Sequence, residues 1–187
     1  MIDLHDALRV VRGARGTGDV VITTMAGAKV WMELGTHPLD FVFVPSSMSH
    51  ATSFGLGIAL AQPERRVIVC NGDGSMLMNL GSLVTIASQA PPNLVVILLD
   101  NGVYEVTGAQ PVPARVDFLT IARGSGFSSL HRFSSLDEWT QNAERVLGAK
   151  GPTFVVLDIV AVPGRPGPKS PGNAAERARA LKRALTT

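Results

Sequence analysis

The sequence predicts an α/β fold, a doubly wound parallel sheet with helices on both faces. Three observations predict it. Strand-like apolar runs recur through the 187 residues. They are continuously apolar rather than alternating, as strands covered on both sides must be. Helical periodicities fall between them, so strand and helix alternate along the chain.

Taken in order, residues 2–12 place Ile2, Leu4, Ala7, Leu8 and Val11 on one helical face. Residues 20–23 form the first strand and 41–44 the second. Between them Glu33, in Trp31-Met32-Glu33-Leu34, reads as a helix-surface residue. The third strand, 67–70, gives way to Asn71-Gly72-Asp73-Gly74-Ser75, and one helix spans 76–90 with Met76, Leu80, Leu83 or Val84, and Ala87 on one side. The strand 94–99 runs into Asp100-Asn101-Gly102-Val103-Tyr104. Ser135 and Glu138 have capping-box spacing, which predicts a helix toward Leu147 that stops at Gly148. Gly151-Pro152 then leads into a last strand, 154–159. The Pro- and Gly-rich stretch 163–172 reads as an extended linker to a basic, solvated terminal helix. The expected division is a sheet domain over 1–160, with linker and helix over 161–187.

Composition narrows the classes. A net charge of +2, with 17 basic and 15 acidic residues, gives no basic footprint for nucleic acid. No apolar run approaches the ~20 residues of a membrane helix, and the acidic start, Met1-Ile2-Asp3-Leu4-His5-Asp6, lacks the features of a signal peptide. A cytoplasmic protein is expected. The single cysteine, Cys70, excludes an internal disulfide and reads as a buried thiol within a strand.

The turn after the third strand carries the functional signal. A strand that turns on glycines into a helix binds phosphate readily, because free N–H groups face the ligand. Here a carboxylate, Asp73, stands between the two glycines. Three readings fit. Asp73 caps a tight turn; or the turn is a dinucleotide fingerprint, weakened because Leu77 holds the third glycine position; or Asp73 holds a divalent cation that in turn binds phosphate. Mg²⁺ takes one or two carboxylates and completes its octahedron with phosphate oxygens. The third reading requires a second oxygen ligand at the end of the neighbouring strand, and Asn101 is placed there.

The paired motif resembles that of thiamine-diphosphate enzymes, in their diphosphate-binding (PP) domain. The stretch Gly72 to Ile86 with Asp100 to Tyr104 is similar, more narrowly, to phosphonopyruvate and sulfopyruvate decarboxylases, as are Thr23-Thr24-Met25, Ser47-Met48-Ser49-His50-Ala51 and Thr107-Gly108-Ala109-Gln110. The resemblance implies the cofactors thiamine diphosphate and Mg²⁺. It gives Asp73, Asn101 and the Val103 carbonyl to the metal, and the N–H groups of Gly74 and Ser75 to the diphosphate. Met48 would support the bent cofactor, the Ser46 carbonyl would accept from its 4′-amino group, and Thr24, Ser47, Gly72 and Tyr104 would complete the contacts. His50 and Lys29 are the candidates to contact an anionic substrate tail. Relatives typically read Gly-Ser-Met-Gly-His-Ala where this chain has Ser46 and Ser49, side chains that narrow a pocket.

The resemblance also implies a missing part. These decarboxylases need a glutamate that protonates the cofactor's pyrimidine, supplied by a separate pyrimidine-binding (Pyr) domain, and 187 residues have room for one such domain. The expectation is therefore the PP subunit of a split 2-oxo acid decarboxylase for 3-phosphonopyruvate or 3-sulfopyruvate. Its partner is an α subunit with a Pyr domain, assembled as α2β2 or larger. An acetolactate-synthase-like carboligase and a nucleotide-binding oxidoreductase are the alternatives.

Overall fold

All five runs expected as strands hydrogen-bond side by side in one parallel sheet, and a sixth strand joins them at an edge. The structure is a computed structural model, and it describes residues 1–43, 48–113, 116–164 and 172–186. The chain runs α1 (Leu4–Ala14), β1 (Val20–Thr24), α2 (Met25–Glu33), β2 (Asp40–Phe43), α3 (Ala51–Ala61), β3 (Val67–Gly72), α4 (Asp73–Leu77), α5 (Gly81–Gln89) and β4 (Leu94–Asp100). A small antiparallel pair follows, β5 (Val103–Tyr104) and β6 (Gln110–Pro111), joined through a 3₁₀ turn over Glu105–Thr107. Then come α6 (Phe118–Ser125), β7 (Ser129–Phe133), α7 (Leu136–Gly148), β8 (Thr153–Asp158) and α8 (Ala174–Thr186).

The sheet order is β2-β1-β3-β4-β8-β7, every neighbour parallel. Alternate residues of each strand enter opposite cores, which is why the runs are apolar throughout. Val21, Ile68, Cys70, Val95, Ile97 and Val155 meet α1, α2 and α7 on one face. Val20, Ile22, Val67, Val69, Val96 and Phe154 meet α3, α5 and α6 on the other. Trp139 of α7 donates its indole N–H to the Ala7 carbonyl and so ties α7 to α1. Gly55 of α3 is required by close approach, since a Cβ there would stand 2.3 Å from Val69 Cγ2. From β1 the chain turns outward to β2, and from β3 it turns the other way to β4. The carboxyl ends of β1 and β3 therefore flank the switch point, where doubly wound sheets bind ligands.

Several expectations need correction. The helix over 76–90 is two helices, α4 and α5, broken at Met78–Leu80, where Asn79 turns to donate its side-chain amide to the Ser49 carbonyl. Ser135 stands at the N-cap of α7 but makes no side-chain capping bond. The terminal helix is solvated over most of its surface, as expected, and docked along one side. Leu181 is buried in the core, Arg177 lies 5.1 Å over the Phe41 ring, and its guanidinium donates to the Val42 carbonyl of edge strand β2. Most of the stretch 163–172 and Val44 lie outside the described residues. Glu33 is exposed at the end of α2, as expected. Cys70 is fully buried, and burial pushes its thiol up to about 12, so it is no nucleophile at neutral pH. No helix among the described residues is long and apolar enough to cross a membrane.

Candidate functional site

At the switch point lies a cleft of about 500 Å³, its open mouth included. Its floor is apolar, made by Leu4, Ala26, Gly27, Leu99 and Ile159. Thr24 and Met25 reach it from the end of β1, and Gly72, Asp73, Gly74 and Ser75 from the end of β3. Asn101, Val103, Tyr104, Glu105 and Thr107 close it from the segment after β4, and Met48 stands at its rim.

Asp73 is the buried charge of this cleft, 2% exposed. One carboxylate oxygen accepts from Gly74 N–H at 2.8 Å and the other from Gly102 N–H at 2.7 Å. Burial pushes the carboxyl up to about 6, against those two N–H bonds, and nearby Asp100 adds to the rise. Among the described residues no basic side chain forms an ion pair with Asp73. Asp100 stands close enough to interact with the Asp73 carboxyl directly, and Arg132 of β7 joins it to Asp158.

Asn101 is fixed at both ends of its amide. Its oxygen accepts from Val103 N–H at 3.0 Å, and its NH₂ donates to Glu105 at 2.9 Å. Gly74 is required by the neighbouring ring, since a Cβ would lie 2.6 Å from Tyr104. Ser75 accepts from Ser49 N–H at 2.8 Å and so ties the start of α4 to the loop before α3.

Ser49 carries a left-handed backbone, φ 72°, which a side chain disfavours by about 1–2 kcal/mol. Ser49, expected to narrow the pocket, does not line the cleft. Ser49→Gly recovers this strain and gives back about 0.4–1 kcal/mol in unfolded-chain entropy. The expected result is a melting temperature raised by a few degrees, read by calorimetry, with no fall.

Of the residues singled out in the sequence, Thr24, Met48, Gly72, Asp73, Gly74, Ser75, Asn101, Val103 and Tyr104 all line this cleft. Ser46 and Ser47 lie outside the described residues. His50 and Lys29 do not line it. His50 is exposed and its Nδ1–H donates to the Met48 carbonyl at 2.8 Å. Lys29 lies further along α2, beyond the Met25–Gly27 turn that faces the cleft. Sequence reasoning missed Glu105 and the apolar floor, and named Thr107 only as part of a resembling motif, with no role in the site.

No group of three or more His, Cys, Asp or Glu that could hold a metal occurs among the described residues. A cation in this cleft would therefore draw on one carboxylate and neutral oxygens, leaving positions for phosphate, which is a donor set suited to Mg²⁺. The buried Asp73, with no basic ion-pair partner among the described residues, fits such an ion. Thr24, whose buried hydroxyl has no hydrogen-bond partner among the described residues, fits a polar ligand beside it.

Fold and cleft together define a doubly wound cofactor-binding domain. The chain belongs to the thiamine pyrophosphate enzymes: residues 19–157 match the family described as "Thiamine pyrophosphate enzyme, C-terminal TPP binding domain". It is 41% identical over 152 residues to phosphonopyruvate decarboxylase of Streptomyces hygroscopicus, covering 79% of this chain and 37% of that protein. It is 45% identical over 126 residues to sulfopyruvate decarboxylase subunit beta of Methanothermobacter thermautotrophicus, covering 67% of this chain and 62% of that one. The chain thus spans less than two thirds of these relatives. The fold is similar to that of the thiamine diphosphate-dependent 4-hydroxybenzoylformate decarboxylase of Rhodococcus jostii RHA1, with a TM-score of 0.72 and 22% identity, over 86% of this chain and 33% of that one.

Proposed function

We propose that this domain is the diphosphate- and Mg²⁺-binding part of a thiamine-diphosphate-dependent 2-oxo acid decarboxylase, acting with a Pyr-type domain on a separate subunit. Its substrate is a 2-oxo acid with an anionic group at C3, 3-phosphonopyruvate or 3-sulfopyruvate. One observation carries the reading. Asp73 and Asn101, from the ends of adjacent strands β3 and β4, line one cleft, in a chain 41–45% identical to decarboxylases of those two acids. Those identities also disfavour the carboligase alternative.

In this reading the side chains of Asp73 and Asn101 and the Val103 carbonyl hold the cation. The N–H of Ser75 binds the diphosphate, whereas the expected Gly74 N–H is taken by Asp73, and Thr24, Gly72, Met48 and Tyr104 orient the cofactor. When bound, the cofactor supplies the electron sink for loss of CO₂. The apolar floor keeps water from that side of the cleft. Lys29 and His50 stand outside the lining, so the proposal assigns the anionic tail no residue of this chain.

The test is a substrate panel on the enzyme in its native assembly. A charge-assisted hydrogen bond to the tail is worth roughly 1.5–3 kcal/mol. The kcat/KM for 3-phosphonopyruvate or 3-sulfopyruvate should therefore exceed that for pyruvate by about 10- to 150-fold. A preference for pyruvate would remove the anionic-tail assignment.

A further inference from the structure

We propose that Glu105 is a positioning residue that fixes which face of the Asn101 amide is offered to the cation. The inference rests on the reading of the cleft as a cation site, and concerns a residue that reading does not use.

An asparagine amide can turn its oxygen or its NH₂ toward a given neighbour, and only the partners on each side decide. On one side of Asn101 stands a donor, Val103 N–H, at 3.0 Å. On the other stands an acceptor, a carboxylate oxygen of Glu105, at 2.9 Å. In the observed orientation both bonds form. Flipped, the NH₂ would face an N–H and the amide oxygen would face a carboxylate, so two attractions would become two repulsions.

The need for such a lock comes from Asp73. Its buried carboxylate lines the same cleft, and before a cation arrives it would reward an NH₂ turned toward it. A cation requires the opposite face, because an amide binds a metal only through oxygen. With its NH₂ held by Glu105, Asn101 keeps its oxygen on the Val103 N–H, within the turn whose Gly102 N–H binds Asp73.

Glu105 is itself anchored. Its second carboxylate oxygen accepts from Val162 N–H at 3.1 Å, in the segment that leaves β8 past Ile159, part of the cleft floor. The orienting carboxylate is thus tied to the segment after β8 rather than left to follow the amide. Partners that orient a metal ligand typically change affinity by about 10–100-fold when removed.

The experiment measures Mn²⁺ binding by electron paramagnetic resonance, with thiamine diphosphate present, on the full chain in its native assembly. Glu105→Ala should weaken binding by about 10–100-fold. Glu105→Gln, whose amide oxygen can still accept from Asn101, should recover most of that loss. The decisive comparison uses Asn101→Asp, where both side-chain atoms are oxygens and orientation no longer matters. In that background, removing Glu105 should change affinity less than about threefold, or raise it. Mn²⁺ binding that Asp73→Ala abolishes but Glu105→Ala leaves intact would overturn the inference. So would an equal loss from Glu105→Ala in both backgrounds, which would make Glu105 a support for the loop alone. Absence of any Asp73-dependent Mn²⁺ binding in the unmodified protein would instead overturn the cation reading itself.

Discussion

Asp73→Ala is expected to abolish Mg²⁺-dependent binding of thiamine diphosphate while leaving the cation-free protein about as stable at pH 7. The loss of binding should exceed the about 10- to 100-fold typical of outer-shell partners, because the only carboxylate proposed for the ion is removed. The stability half follows from the cost of burying that charge. Burial raises the Asp73 carboxyl from 3.8 to about 6, and two units correspond to about 3 kcal/mol. The sign is fixed by linkage. A carboxyl raised in the folded state binds protons there more readily than in the unfolded chain, so its ionisation costs stability as pH rises through 6. At pH 7 the unmodified protein bears that cost, which is already net of the two N–H bonds Asp73 accepts. The alanine variant escapes the buried charge but leaves those two N–H donors without their partner, at about 1–3 kcal/mol each. As pH falls below the unfolded value near 4, the unmodified protein should gain about 3 kcal/mol relative to Asp73→Ala. Denaturant unfolding of both proteins at pH 7 and pH 4 reads this difference. Below pH 6 the same proton competes with the cation, so metal affinity should fall about tenfold per pH unit. Calorimetry with cofactor and Mg²⁺ decides the metal role, and unchanged affinity in the variant would exclude it.

What the sequence discloses is set by how local each constraint is. The five expected strands are legible because burial on both faces leaves little room for polar residues, as in Val67 to Cys70 or Leu94 to Leu99. The helices α1 and α7 are legible because one face is wet. By contrast, α3 carries no charged residue and has glycines at 55 and 57, so its periodicity is lost. β7 reads Ser-Leu-His-Arg-Phe and lies at a sheet edge with only Phe133 buried, so it looks like loop. The break between α4 and α5 is invisible because the apolar spacing continues through it. In the site, Asp73 and Asn101 stand out because each ends an apolar strand beside a glycine. Leu4 and Ile159 cannot be told from core residues in sequence. Glu105 is hidden for another reason, since one of its partners, Val162, lies 57 positions away. Its bond to Asn101 spans four positions within one turn, and that spacing was the available signal.

This chain alone should show no measurable turnover of 3-sulfopyruvate or 3-phosphonopyruvate, and should gain it when a Pyr-type subunit is added. The reason lies in the carboxylates of the cleft. Thiamine-diphosphate decarboxylases of the kind this chain resembles need a glutamate at the cofactor's pyrimidine. Among the described residues lining the cleft, the carboxylates are Asp73 and Glu105. Asp73 binds two backbone N–H groups and is assigned to the cation. Glu105 has one oxygen on Asn101 and the other on Val162. Neither can serve the pyrimidine without abandoning the geometry that makes the cleft. Glu33 is exposed at the far end of α2 and outside the lining. On the proposed function, the activating carboxyl is supplied by another domain at the open mouth of the cleft. Mixing the purified chain with such a subunit and following release of CO₂ tests the assignment. A second variant separates assembly from chemistry. Replacing the partner's glutamate by glutamine should leave the complex assembled by gel filtration yet slow it by about 10²–10⁴-fold, the usual worth of a positioned acid–base group. Robust turnover by this chain without a partner would mean that a carboxylate within it does this work, and Glu105→Gln would then be the variant to lose it.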